Sequence, residues 1–66
     1  MEFELNGVCE QAEAALSVQD LLARVGLAGR RVAVAINTQV VPRSRFAEVR
    51  IAEGDRVEVI HAVGGG

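Results

Sequence analysis

The sequence lacks lysine, tryptophan and tyrosine, and it has one cysteine, one proline and two aromatic residues, Phe3 and Phe46. A single cysteine, Cys9, excludes an intramolecular disulfide, and we expect a reducing, cytoplasmic setting. The scarcity of aromatic residues and the net charge of −2 argue against a nucleic-acid surface, which would need a basic stripe and stacking rings. Because Glu2 and Glu4 interrupt the N-terminus, we expect no signal peptide. The proportion of charged residues argues against a membrane segment.

The residues that are present have the composition of one small globular domain. Of the 66 residues, 50% are hydrophobic and 24% are charged, and a chain of this length buries only about 60% of the surface that it exposes when unfolded. We expect residues 1–63 to form the domain and residues 64–66 to form a flexible glycine tail. The sequence has neither a Walker-type phosphate-binding loop nor the residue spacing of a metal site. We therefore expect that the chain is not an enzyme and that it does not itself bind a cofactor.

Two strands and a tight turn are predicted at the N-terminus. Residues 1–5 alternate, with Phe3 and Leu5 on one face and acidic side chains on the other, which is typical of a half-buried strand. Asn6-Gly7 predicts a type I′ hairpin turn, since both residues tolerate a positive φ. A second strand over 8–11 then returns beside the first.

One helix is predicted in the middle of the chain. Ser17 is its N-cap, and Asp20 completes a capping box. Leu16 is expected to pack on Leu21 as a hydrophobic staple. The helix should present one apolar stripe to the core, formed by Val18, Leu21, Leu22 and Val25. Gly26 ends the helix in the left-handed conformation.

Two further strands and a helical turn are predicted next. Alternation over 32–36 predicts a strand with bulky side chains on one face and alanines on the other. A turn at 37–39 leads into a short strand, Val40-Val41, which Pro42 ends because it cannot donate a ladder hydrogen bond. One helical turn follows over 43–47, with Phe46 as its apolar anchor.

The last strand is predicted over 56–63, after a turn at 52–55. Glu58, Ile60 and Ala62 share one face of this strand, and Glu58 marks that face as solvated. Ile60 and Ala62, together with Val63, are therefore candidates for docking a partner. One helix across a mixed sheet predicts an α+β fold of the ubiquitin-like β-grasp type, with the first and last strands side by side in the middle.

Four segments of the sequence resemble one known family. They are the A-V-A-I-N run at 33–37, Val41-Pro42-Arg43, Gly54-Asp55 and the terminal glycine pair. With these segments the chain resembles the ThiS-type sulfur carriers of thiamine biosynthesis over nearly its whole length. It departs from them in the third glycine, Gly64, and in Phe46, where tryptophan is often found. The small subunit of molybdopterin synthase is similar in fold and ending, but it tends to be longer and lacks the Val-Pro-Arg block.

The resemblance implies that Gly66 carries sulfur on its C-terminal carboxylate, with Gly64 and Gly65 as a tether without side chains. It implies an E1-like adenylating enzyme as a partner, which uses ATP and magnesium to make an acyl-adenylate. Sulfur from a persulfide, supplied by a cysteine desulfurase or an equivalent donor, then displaces AMP. The product is a thiocarboxylate, which gives its sulfur to thiazole synthase. A fully extended 63–66 segment reaches about 13 Å at about 3.3 Å per residue. The chain is expected to be a monomer on its own.

Other interpretations of the sequence remain open. A protein modifier would form an isopeptide bond through its last glycine, although without lysine it could not build lysine-linked chains on itself. A non-covalent binding module would make no use of the glycines. Cys9 could relay a persulfide or pair with His61, but a lone cysteine in a strand is more often a small buried side chain. Arg43, Arg45 and Arg50 predict a solvated face, or a surface that steers the chain toward an acidic partner.

Overall fold

The computed structural model describes residues 1–61 of the chain. The strands are β1 (Glu2–Leu5), β2 (Val8–Gln11), β3 (Leu16–Ser17), β4 (Val32–Ile36), β5 (Gln39–Val41), β6 (Arg50–Ile51) and β7 (Arg56–His61). The helix α1 covers Val18–Arg24, and a 3₁₀ turn covers Arg43–Arg45. Residues 62–63 of the predicted last strand and the predicted tail at 64–66 lie outside the described residues, so the predicted division into domain and tail stays a prediction.

Five strands form the main sheet, in the order β2-β1-β7-β4-β5. β1 and β7 are parallel, and the other neighbours are antiparallel. The core lies between α1 and one face of this sheet. Its buried residues are Phe3, Val18, Leu21, Leu22, Val32, Val34, Val41, Ile51, Val57 and Val59. The arrangement confirms the predicted ubiquitin-like β-grasp, with the first and last strands in the middle.

The N-terminal hairpin has the predicted turn. Leu5 pairs with Val8, so Asn6 and Gly7 are the two central residues. Their φ angles are 50° and 83°, and a type I′ turn requires positive φ at both positions. The turn chemistry therefore sets the register of β1 and β2.

The predicted capping box at the start of α1 is confirmed. The amide of Asp20 donates to the Ser17 hydroxyl oxygen at 3.0 Å, and the amide of Ser17 donates to the Asp20 carboxylate at 3.3 Å. The predicted place of Val25 in the core stripe is wrong. Val25 is the C-cap of α1, where the chain leaves the helical conformation, and the residue is 40% exposed. Gly26 follows with φ 79°, as the left-handed end requires.

A second sheet was not predicted. β3 pairs with β6 through Leu16–Ile51 and Ser17–Arg50. Strands of two residues are too short to show an alternation, so the sequence pattern does not reveal them. This pairing ties the start of α1 to the segment that precedes β7.

Two predicted boundaries in the second half are wrong by a few residues. Asn37 and Thr38 both have positive φ, 50° and 70°, so the turn needs only these two residues and Gln39 belongs to β5. The 3₁₀ turn ends at Arg45, before the predicted end at 47. Phe46 is half-buried against the core, which confirms its predicted role as the apolar anchor.

Candidate functional site

β7 is the strand that carries the chain toward the predicted tail. It pairs with β4 over five residues, from Val57 to His61. On its other side it pairs with β1 at Arg56 and Val57. Strands that are bonded on both sides open less readily than edge strands and loops. At Ile60 and His61, the last described residues of β7, the pairing is with β4 alone.

The side chain of Asn6 extends the pairing between β1 and β7 beyond the end of β1. Its Oδ1 accepts a hydrogen bond from the amide of Val59 at 2.8 Å, and its Nδ2 donates to the Val59 carbonyl at 3.2 Å. The side-chain amide thus offers the donor and the acceptor that another strand residue would offer. The backbone of β1 can turn away at Asn6 while β7 keeps its partner.

Asn37 holds the other end of β7 in a similar way. Its backbone amide donates to the Arg56 carbonyl at 2.8 Å, and its Oδ1 accepts from the Arg56 amide at 3.0 Å. Its Nδ2 also donates to the Asp55 carboxylate at 3.0 Å. Sequence reasoning assigned Asn6 and Asn37 to turns only. A usable signal was that asparagine, unlike aspartate, carries both a donor and an acceptor.

An apolar patch lies on the sheet face that points away from α1. We call this the outer-face patch, and it consists of Ala33, Ala35, Val40 and Ile60. Ala33 lies opposite Ile60 and Ala35 lies opposite Val40, so their side chains share one face. Ile60 is 61% exposed and Val40 is 76% exposed. The predicted exposure of Ile60 is confirmed, whereas the part that Val40 plays was missed.

The rest of this outer face carries mostly charged and polar side chains, and it includes Cys9. Cys9 lies opposite Glu4, which pairs with Arg56, and the Arg56 Nε is 3.9 Å from the Glu4 carboxylate. The expected burial of Cys9 is wrong, because β2 is an edge strand and Cys9 is exposed on it. His61 lies five residues beyond Arg56, about 16 Å along the strand at 3.3 Å per residue. The structure therefore does not bring Cys9 and His61 together.

The residues predicted to carry the chemistry lie beyond β7. Gly64, Gly65 and Gly66, and the docking candidates Ala62 and Val63, are outside the described residues, and their roles stay predictions. Within residues 1–61, no group of three His, Cys, Asp or Glu side chains could hold a metal ion. In the same range, no helix has the length and apolar character needed to cross a membrane.

Comparisons with known proteins agree with the fold. A family model described as the ThiS family matches residues 2–66. The thiazole synthase of Paramagnetospirillum magneticum is 36% identical over 66 residues, which are 100% of this chain and 20% of that protein. The sulfur carrier protein ThiS of Bacillus subtilis is 38% identical over 50 residues, which are 76% of each chain.

A solved structure is similar over the full length of both chains. The crystal structure of the thiamine biosynthesis protein ThiS from Geobacter metallireducens has a TM-score of 0.86 and 30% identity, and the match covers 100% of each chain. In contrast, the chain spans about a fifth of the length of the first curated relatives it matches.

Proposed function

The chain belongs to the ThiS family, and we propose from this membership that it is a sulfur carrier of thiamine biosynthesis that holds the sulfur at Gly66. The observation that carries the proposal is the family match over residues 2–66, which includes the glycine end. The fold is consistent with this role, because β7 is fastened in the middle of the sheet and leads toward those glycines.

The proposed chemistry begins with activation of the Gly66 carboxylate. A free C-terminal carboxyl group ionises with a pKa of about 3.3–3.7, so at neutral pH it is an anion and a poor electrophile. In an adenylating enzyme that binds ATP and magnesium, a carboxylate oxygen attacks the α-phosphorus and pyrophosphate leaves. The product is an acyl-adenylate, whose leaving group is AMP.

Sulfur then replaces AMP. The outer sulfur of a persulfide attacks the carbonyl carbon, and AMP leaves with the bonding electron pair. A second thiolate attacks the remaining S–S bond, which gives the thiocarboxylate of Gly66 and a disulfide. Because Gly65 and Gly66 have no side chains, neither face of the carbonyl carbon is shielded during these attacks.

The outer-face patch is the proposed docking surface for the partner enzymes. Ile60 belongs to β7 and lies next to the residues that lead to the tail, so a partner that receives the tail would also cover this side chain. We propose that Ala62 and Val63 extend the same surface. Apolar side chains exposed in a group mark interaction sites more often than single exposed residues do.

A thiazole synthase is the proposed acceptor of the sulfur. Relatives named thiazole synthase contain a region that matches this whole chain. A carrier and its acceptor that occur in one polypeptide would meet at a high effective concentration. We propose that the present chain makes the same encounter.

Intact-mass measurement tests the central step. The chain is incubated with an adenylating enzyme of this pathway, ATP, magnesium and a persulfide donor, and its mass should rise by the exchange of one oxygen for one sulfur. Omission of ATP should abolish the change. An unchanged mass, while the enzyme still releases pyrophosphate with an authentic ThiS protein, would contradict the proposal.

Two tail variants make the test specific. Deletion of Gly65 and Gly66 should abolish sulfur loading, whereas deletion of Gly64 alone keeps a Gly-Gly end and should permit it. Equal loading of both variants would show that the last two glycines are incidental. Covalent adducts with other proteins, in place of the thiocarboxylate, would instead identify a protein modifier.

A further inference from the structure

A groove lies on the helix side of the molecule, away from the outer-face patch. It has a volume of about 410 Å³ and runs between α1, the loop at 28–30 and the 3₁₀ turn. Its apolar lining is the half-buried Phe46 with Ala28 and the edge of the buried Leu22, and Arg30 and Arg43 line it as well. Ligand sites in proteins are often of this kind, with an apolar lining and a few polar groups that fix orientation.

Hydrogen bonds hold the walls of the groove in place. The amide of Gln19 donates to the Phe46 carbonyl at 3.0 Å, which joins α1 to the end of the 3₁₀ turn. The Arg43 Nη2 donates to the Arg30 carbonyl at 3.1 Å, which joins the turn to the loop. The groove therefore exists before a ligand arrives, and binding would require little ordering of the backbone.

The charge of the groove is positive although the whole chain carries a net charge of −2. Its lining residues include two arginines and no aspartate or glutamate. In the described part of the chain, the ion pairs join Arg45 to Glu48 and Arg56 to Glu4. Arg30 and Arg43 thus have no carboxylate partner among residues 1–61. The Arg43 Nη2 is bonded to the Arg30 carbonyl, so the other N–H groups of that guanidinium, and the Arg30 side chain, are what a ligand could meet.

We propose that this groove binds an acidic segment of a partner protein. One large apolar side chain of the segment lies on Leu22 and Phe46, and neighbouring carboxylates pair with Arg30 and Arg43. Arginine suits this role because its planar guanidinium can bond both oxygens of a carboxylate. A ligand with only charge or only apolar surface would leave half of the lining unused.

The position of the groove relates it to the end of β7. Arg30 lies two residues before Val32, and Val32 pairs with His61, the last described residue. The part of the groove that Arg30 lines is therefore close along the chain to the strand residue that pairs with the last described residue of β7. The inference does not depend on sulfur chemistry at Gly66, because all of the lining residues belong to 19–46.

A peptide titration followed by ¹⁵N–¹H NMR tests the proposal. The probe is acetyl-Glu-Glu-Leu-Phe-Glu-Glu-amide, and the comparison peptide has glutamine in place of each glutamate. The acidic peptide should shift the amide signals of Gln19, Leu22, Gly29 and Phe46 in a saturable way. The glutamine peptide should bind more weakly than the acidic peptide. Added salt should weaken the binding of the acidic peptide and leave that of the glutamine peptide unchanged.

Charge variants connect the binding to the two arginines. The double variant Arg30→Glu, Arg43→Glu should weaken binding by at least about tenfold, since it removes two ion pairs and adds repulsion. Arg50→Glu is the control for reversal of a single charge outside the groove, because Arg50 is also exposed but does not line the groove. It should change the affinity by less than about twofold. If the double variant is unfolded, Arg30→Gln with Arg43→Gln serves in its place.

Three results would overturn the proposal. The first is that the acidic peptide shifts signals elsewhere, or shifts none. The second is that Arg50→Glu weakens binding as much as the double variant, which would indicate attraction by overall charge. The third is that inorganic phosphate or AMP produces the same saturable shifts at lower concentration than the peptide, which would assign the groove to a phosphate-bearing ligand.

Discussion

Replacing Asn6 with alanine should destabilise the whole domain, because its side chain completes the bonding of the central strand. The substitution removes two hydrogen bonds to Val59, at 2.8 Å and 3.2 Å. Each such bond contributes about 0.5–1.5 kcal/mol net. Alanine must also adopt the φ of 50° that Asn6 has, and the left-handed region adds about 1–2 kcal/mol for a residue with a Cβ. The expected loss is about 2–5 kcal/mol in the free energy of unfolding.

This loss is a large part of the total stability. At about 0.05–0.15 kcal/mol per residue, a domain of this length has about 3–10 kcal/mol in all. Asn6→Gly separates the two contributions, because glycine adopts the positive φ without strain and loses only the hydrogen bonds, about 1–3 kcal/mol. Asn37→Gly is the matched control. The bonds of the Asn37 side chain are exposed, so water can replace them and the loss should be smaller.

Urea unfolding measured by far-ultraviolet circular dichroism is the suitable assay, since the chain has no tryptophan or tyrosine for fluorescence. With a slope of about 1 kcal/mol per molar urea, the midpoint of Asn6→Ala should fall by about 2–5 M at unchanged slope. An Asn6→Gly variant within about 0.5 kcal/mol of the parent would refute the reasoning. Equal values for Asn6→Ala and Asn6→Gly would show that the backbone conformation adds no strain.

Three further changes test other parts of the structure. Leu21→Ala should lower the free energy of unfolding by about 2–5 kcal/mol, because it empties part of the core; a loss below about 1 kcal/mol would mean that the core is not tightly packed there. Ser17→Ala should lower it by about 1 kcal/mol through loss of the N-cap, and Asp20→Ala, which removes the reciprocal half of the capping box, should lower it less. Ile60→Asp should leave stability within about 0.5 kcal/mol but raise the KM of the carrier in sulfur loading. Val8→Asp, also exposed but on the edge strand β2, should leave that KM unchanged, and equal effects would contradict docking at Ile60.

Local features were predictable from the sequence because both partners lie a few residues apart. The capping box of Ser17 and Asp20 and the turn at Asn6-Gly7 are of this kind, and both are found where the pattern places them. The exposure of Ile60 was predictable as well, since Glu58 marks its face. These features required no knowledge of the sheet order.

Features that depend on distant partners were not predictable. The pairing of Leu16 with Ile51 joins residues far apart in the chain, and neither strand is long enough to show a period. Cys9 was expected to be buried because the position of its strand at the sheet edge cannot be read from the strand itself. Val40 was missed for a local reason: the turn predicted over 37–39 is one residue too long, and only the observed turn at 37–38 puts Val40 opposite Ala35.

The central place of β7 has a consequence for synthesis of the chain. The bonds from Asn6 to Val59 span 53 residues, so the middle of the main sheet cannot close until nearly the whole described chain has left the ribosome. Long-range pairings of this kind form late, because the intervening loop must first be ordered. If translation ended before β7, the product would lack the central strand of the main sheet. A chain that reaches the native sheet has therefore been translated at least through Val59.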